Sequence, residues 1–218
     1  MLEMLVTSVN YGDCLMETIP HNAEICDKIY LVTSPKDILS QEICARFPDK
    51  VKCIVSDVFF EDGAIFNKGK GMNLAFKAAE KKDWLLVSDA DILLPTNLKD
   101  MIEGIRDKDA LYGINRIIVK EKHNLEVAKN VNLKATYIGK PYELSRMHPI
   151  RGYFQLFHTK SMYYRNKGYR TDIPTAASSD LSFSHQWPRN KSFCFKADCI
   201  HLGQNAQNWE GRVTSFFK

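Results

Sequence analysis

Within residues 1–91, four short apolar runs alternate with stretches whose apolar residues recur at helical spacing. Residues 2–9 read as a buried strand that stops at Asn10-Tyr11-Gly12-Asp13. A helical stretch with Leu15, Ile19 and Ile25 apolar leads to a second strand, residues 28–33, ended by Ser34-Pro35. Residues 38–47 form a short amphipathic helix and residues 51–55 a third strand. Residues 71–81 again show helical spacing, through Met72, Leu74, Ala75, Phe76, Ala78 and Ala79, before the fourth strand, Trp84-Leu85-Leu86-Val87. Strand–helix alternation of this kind implies βαβ units and a mainly parallel central sheet, an α/β fold. After residue 110 the pattern changes to short β-type runs, such as 110–119 and 153–158, with few helical stretches. No internal repeat or linker divides the 218 residues, which suit one domain.

Hydrophobic residues are 44% of the chain, so it is expected to be globular. No apolar run has the length of a membrane span. The start, Met1-Leu2-Glu3-Met4, has neither the basic nor the apolar region of a signal peptide, and six cysteines lack Cys-x-x-Cys spacing. The expectation is a cytoplasmic protein with free thiols. The net charge of +4 hides an uneven distribution: residues 1–115 carry −6, residues 116–170 carry +9 and residues 171–218 carry +1.

The strongest chemical signal is Asp89-Ala90-Asp91, directly after the fourth strand. In an open α/β sheet, ligands bind beyond the carboxyl ends of the strands. Two acids one residue apart at such an end can share one ligand, one holding a divalent cation and the other reaching a ribose or the metal's outer shell. Mg²⁺ or Mn²⁺ in such a place commonly bridges two phosphates. A second signal is Asn67-Lys68-Gly69-Lys70-Gly71, before a helix start at Met72-Asn73. Glycines permit close backbone approach, lysines neutralise phosphate, and a helix N-terminus favours anions. The run matches neither the P-loop nor the dinucleotide-binding fingerprint.

These pieces, in this order, resemble glycosyltransferases of the GT-A fold, especially the large family-2-like set. The matching segments are Leu5-Val6-Thr7-Ser8-Val9-Asn10-Tyr11, Asp27-Lys28-Ile29-Tyr30-Leu31-Val32-Thr33-Ser34, and Asn67 to Asn73 ahead of the Asp-x-Asp pair. The likeness continues through Arg151-Gly152-Tyr153-Phe154-Gln155 and Ser179-Asp180-Leu181-Ser182-Phe183-Ser184 to Ile200-His201-Leu202-Gly203. It implies a single GT-A-like domain over residues 1–218, with a donor half at 1–115 and an acceptor half at 116–218. It further implies transfer of a sugar from a nucleotide-diphosphate donor, a UDP-sugar first, to an acceptor hydroxyl.

By the same resemblance, Thr7, Asn10 and Tyr11 would hold the base and ribose, with Asp57 near the base. Lys68 and Lys70 would lie near the diphosphate, with Asn73 among the donor-binding residues. Asp89 would touch the ribose or the metal's outer shell. Asp91 and His201 would ligate the metal, a donor set compatible with Mn²⁺ or Mg²⁺. Asp180 is the candidate general base of an inverting transfer, which needs a carboxylate opposite the leaving diphosphate. Many relatives have a second acid before it, where this chain has Ser179. Asp180 also fits a helix first turn, where an acid is favoured for local reasons, and His185 is a second candidate base. Trp209-Glu210-Gly211-Arg212 suits a lid over the diphosphate.

The acceptor is indicated only by the basic segment, in which Lys and Arg, among them Arg116, Lys134, Lys140 and Arg165, interleave with aromatics, among them Tyr137, Tyr142 and Tyr153. Cations with exposed rings suit nucleic acid, so a hydroxymethylated base in DNA fits. A lipopolysaccharide or other glycan fits too, as does a plain solvated surface with its aromatics turned inward. Three other classes compete. A haloacid-type phosphatase would carry its Asp-x-Asp after the first strand and follow it with Gly-Thr, whereas here the pair follows the fourth strand and precedes Ile92-Leu93. A nucleotidyltransferase would carry a Gly-rich loop after the first strand, where this chain has one glycine. A non-catalytic nucleic-acid-binding protein would explain the basic segment but not the acids and histidine at 89, 91, 180 and 201.

Overall fold

The computed structural model describes residues 1–132, 144–164, 167–176, 178–203, 208 and 210–216. Its first half is built as the periodicity requires: β1 (Leu2–Thr7), α1 (Gly12–Ile25), β2 (Lys28–Thr33), α2 (Ile38–Ala45), β3 (Val51–Val55), α3 (Lys68–Ala78) and β4 (Trp84–Asp89). β5 (Ile92–Leu93) and α4 (Leu98–Glu103) follow closely. The second half holds β6 (Leu111–Val119), α5 (Leu125–Asn132), β7 (Leu144–Arg146), β8 (Phe154–His158), α6 (Ser179–Ser184) and β9 (Ser192–Leu202).

The strands form one sheet in the order β3-β2-β1-β4-β8-β6-β9-β5, with β7 added on β9. Alternation along the central strands serves two cores. Met4, Val6 and Leu86 face α1 and α2, packing with Leu15, Ile19 and Ile43. Leu5, Leu85 and Val87 face α3 and α6, packing with Met72, Phe76 and Phe183. Strands buried on both faces explain why these runs are apolar throughout.

Only the β3-β2-β1-β4 block is parallel as a unit. β8 runs antiparallel to both β4 and β6, β5 and β7 run antiparallel to β9, and β6 pairs parallel with β9. The sheet is therefore mixed, which corrects the mainly parallel expectation. A parallel neighbour needs a crossover long enough to hold a helix. Beyond β4, among the described residues, only β6 and β9, with α5 and α6 between them in the chain, pair in that way, and the other pairs are antiparallel.

Helix α3 begins at Lys68, three residues before the run of helical spacing, because the Asn67 side chain caps it by accepting from the Lys70 N–H at 2.9 Å. Asp37 caps α2 likewise, accepting from the Ser40 N–H at 3.2 Å. Chain order reverses between β1 and β4, so a crevice opens beyond their carboxyl ends. There Thr7 and Asp89 stand opposite each other in register.

Candidate active site

Helix α1 fixes the turn that carries the acids. Thr18 Oγ1 donates to the Ala90 carbonyl at 2.8 Å. Asn22 donates to the Ile92 carbonyl at 2.8 Å and accepts from the Leu94 N–H at 3.0 Å. Just past Asp91, β5 zips onto β9, with Ile92 opposite His201, and the Leu202 N–H donates to the Asp91 carbonyl at 2.8 Å. The last strand thus brings His201 Nε2 to 3.2 Å from Asp91 Oδ2. Both side chains are buried, and Asp91 Oδ1 and His201 Nδ1 have no hydrogen-bond partner among the described residues. Burial works against the charged imidazole, but Asp91 outweighs it and leaves His201 above its ordinary value.

Asp89 is used differently. Lys68 Nζ, at the start of α3, donates to Asp89 Oδ1 at 2.5 Å. Burial alone would raise the Asp89 carboxyl, yet the ammonium holds it below the usual carboxylate range. Burial alone would lower Lys68, yet the charges of Asp89, Asp180 and Asp91 raise it. One lysine therefore lies in the field of all three acids.

Asp180 stands in the first turn of α6. The Gly152 N–H donates to its Oδ2 at 2.7 Å. A Cβ at Gly152 would fall 2.4 Å from the Asp180 side chain, so only glycine fits. Ser178, in a left-handed conformation (φ 61°), makes no side-chain cap to the helix. What holds α6 instead is Gln155 of β8, fully buried, which donates to the Asp180 carbonyl at 2.9 Å and accepts from the Tyr169 hydroxyl at 2.6 Å.

Tyr11 lies near the acids: burial, then the charges of Asp91 and Asp89, push its phenol well above the ordinary value. The Arg212 guanidinium stacks on its ring, 4.2 Å from the centroid. Arg212 also forms a two-point ion pair with Asp13, donates to the Asn10 carbonyl at 3.1 Å, and is almost fully buried. This anchors the segment that the sequence marks as a lid; Trp209 lies outside the described residues. The Asn10 N–H donates to Asp37 Oδ2 at 2.6 Å, and its backbone is left-handed (φ 63°).

Three expected donor residues stand apart from the acids. Lys70 is held by Glu61 and Asp62, at 3.0 and 2.5 Å. Asn73 spends both ends of its amide on the Tyr169 backbone, at 2.9 and 2.7 Å. Asp57 is exposed beyond β3, three strand intervals from β4, or roughly 14 Å. Arg116, on β6, which the sequence marks only as one cation of the basic segment, also reaches this cluster: its charge acts on both Asp89 and His201. Its position is set by long-range strand pairing, and no local motif marks it.

Most of the described aromatics of the basic segment are turned inward, and Tyr163 is half-buried. Tyr153, Phe154, Tyr164 and Tyr169 are buried, and the Tyr153 hydroxyl donates to the Ile114 carbonyl at 2.7 Å. They form no exposed stacking surface. Lys134, Tyr137, Lys140, Tyr142 and Arg165 lie outside the described residues. No helix among the described residues is long and apolar enough to cross a membrane.

The sequence matches no protein-family model, and no curated protein matches it. Solved structures do match in fold. The structure of TarS 1–349 from S. aureus aligns with a TM-score of 0.63 at 15% identity, over 92% of this chain and 60% of that one. HddC from Yersinia pseudotuberculosis aligns at 0.53 and 15% identity, over 94% and 95%. M. tuberculosis glucosyl-3-phosphoglycerate synthase aligns at 0.51 and 10% identity, over 95% and 73%. The chain thus spans less than two thirds of the TarS structure's length. The fold is α/β with a mixed sheet, and it is shared with these solved structures.

Proposed function

We propose that the protein is a metal-dependent glycosyltransferase that takes a sugar from a nucleotide-diphosphate donor, a UDP-sugar first, and passes it to an acceptor hydroxyl with inversion. The observation that carries this reading is the Asp91–His201 pair beside the switch point of the sheet, in which Asp91 Oδ1 and His201 Nδ1 are buried and have no hydrogen-bond partner among the described residues. No group of three or more His, Cys, Asp or Glu among the described residues forms a closed metal cage. Two protein ligands fit Mg²⁺ or Mn²⁺, which usually take their other ligands from phosphates and water. When bound there, such an ion neutralises charge on the departing diphosphate.

The chain's own residues do the rest. Asp91 and His201 would hold the ion, and Lys68, fixed by Asp89, would add positive charge to the same crevice. Thr7 and Tyr11 border the crevice where the nucleotide would lie. The Gly152 N–H orients Asp180 so that its carboxylate can take the acceptor proton. Arg212 and Tyr11 close one side against water.

A nucleotidyltransferase is the second reading, since the inositol-1-phosphate CTP transferase of T. maritima aligns with a TM-score of 0.50 at 10% identity, over 97% of this chain and 91% of that one. The connection between β1 and α1 argues against it, because residues 8–11 leave no room for a long Gly-rich activation loop. Among the described residues, Tyr153, Phe154, Tyr164 and Tyr169 turn inward and lend no stacking surface to a DNA base as acceptor. The test is nucleotide-diphosphate release from a panel of nucleotide sugars, with Mn²⁺ and with EDTA. Metal-dependent release from at least one donor is expected. Release from none of them would sink the reading, and equal release in EDTA would sink its metal dependence.

A further inference from the structure

Gln155 spends its whole side-chain amide where the candidate base is held. Its Nε2 donates to the Ile150 carbonyl at 3.0 Å and to the Asp180 carbonyl at 2.9 Å. Ile150 lies two residues before Gly152, whose N–H donates to Asp180 Oδ2. One amide thus ties together the two backbone segments that meet at the Gly152–Asp180 bond. A second bond joins them further along, since the Ile150 N–H donates to Ser184 Oγ, at the end of α6, at 2.8 Å.

Tyr169 sets which end of that amide faces which partner. Its hydroxyl donates to Gln155 Oε1 at 2.6 Å. Burial, then the charges of Asp180 and Asp89, hold the phenol well above its ordinary value, so it stays protonated and remains a donor. The Tyr169 ring stacks on Phe183 of α6, with centroids 4.7 Å apart and planes 11° apart. Its backbone N–H and carbonyl are both clamped by the Asn73 amide. A Cβ at Gly168 would fall 2.2 Å from Asn73 Oδ1, and the backbone there is left-handed (φ 61°), so glycine lets the clamp close. Asn73 belongs to α3, the helix that begins with Lys68. The helix that offers a cation to the donor side therefore also anchors the base.

We propose that Asn73, Tyr169 and Gln155 are positioning residues for Asp180, acting in series from α3 to the base, and are not contacts for the donor. This rests on the reading of Asp180 as the general base. The Gly152 bond spends Oδ2, so the acceptor proton falls to Oδ1. Where Oδ1 lies follows from how α6 sits against residues 150–152, and small misplacements of a catalytic group are costly to turnover.

Nucleotide-diphosphate release is followed from the donor that the wild-type chain cleaves fastest in Mn²⁺, with water as the acceptor. The water oxygen attacks the anomeric carbon, its proton passes to Asp180, and the bond from that carbon to the diphosphate oxygen breaks. Tyr169→Phe keeps the ring stack and the Asn73 clamp and removes one hydroxyl. Turnover should fall about three- to tenfold, the worth of one hydrogen bond, with the donor KM and the calorimetric affinity for UDP and Mn²⁺ unchanged. Asn73→Ala should act in the same way. Both losses should vanish in an Asp180→Asn background, where no base is left to position. Melting curves accompany each variant, and if Asn73→Ala fails to fold, Tyr169→Phe decides. Full turnover in the folded variants, a loss that persists beside Asp180→Asn, or weaker UDP binding would overturn the positioning role and leave the base in place. Normal turnover of Asp180→Asn would overturn the base and the positioning role together. No release by the wild type from any donor would overturn the glycosyltransferase reading, and this inference with it.

Discussion

Asp91 and His201 are 110 residues apart in the chain and 3.2 Å apart in space. Their meeting is a matter of strand pairing: the two residues of β5 attach the end of β9 directly beside the acid turn. Asp91→Ala or His201→Ala should therefore remove Mn²⁺-dependent nucleotide binding by at least tenfold each, and EDTA should reproduce the loss. Calorimetry of UDP with and without Mn²⁺ checks this. Full nucleotide affinity in EDTA would exclude the metal assignment.

Asp180→Asn keeps the shape of the side chain and removes its basicity. Turnover should fall roughly 10²–10⁴-fold while donor affinity holds. Gly152→Ala should act on the same group from behind, since its Cβ would lie 2.4 Å from the Asp180 side chain. It should lower turnover comparably, cost about 1–3 kcal/mol of stability from overpacking, and leave metal-dependent UDP binding intact. A Gly152→Ala enzyme with normal turnover would show that Asp180 is not the base.

Lys68→Met removes the ammonium that Asp89, Asp180 and Asp91 share. A fully buried pair broken in this way costs more, but the Asp89 side chain is 35% exposed, so about 1–2 kcal/mol is expected after screening by water. Urea denaturation measures it. The donor diphosphate should bind more weakly too, and an unchanged affinity would take Lys68 out of the donor site.

Arg212→Ala should release the segment after β9 from the loop after β1. Asp13 would lose its two-point partner and Tyr11 its stacked guanidinium. Faster proteolytic cleavage near residues 210–216 is the expected result, suppressed little by adding UDP. Equal cleavage of both proteins would mean that Phe216, buried against Leu125 and Leu202, holds the segment unaided.

The parallel block was legible because its signals are local. Each strand's apolar run, the helix spacing at Leu15, Ile19 and Met72, and the acids at the end of β4 all lie within a few residues of one another. The second half was not legible in the same way. β8 inserts between β4 and β6 through pairings such as Leu85 with Phe157, and nothing near either residue announces its partner or its direction. Lys68 and Lys70 look equivalent in sequence, yet the Asn67 cap sets the helix so that one reaches Asp89 and the other Glu61 and Asp62. In the sequence Asn73 is one more polar side chain near a helix start, but in the fold the Tyr169 backbone occupies both ends of its amide. Arg116 drew notice only as one charge among many, because its neighbour Tyr153 joins it through the fold.

β9 supplies His201 and borders β5, β6 and β7, so its arrival completes most of the sheet's second half. A chain emerging from the ribosome presents Asp89 and Asp91 early, over a parallel block that already has helices on both faces. Their imidazole arrives only after more than a hundred further residues have been made. Pairing at that sequence distance is slow to form. A polypeptide cut short before residue 201 accordingly has the parallel block and its two acids, but neither the β5–β9 pairing at Ile92 nor the Asp91–His201 contact.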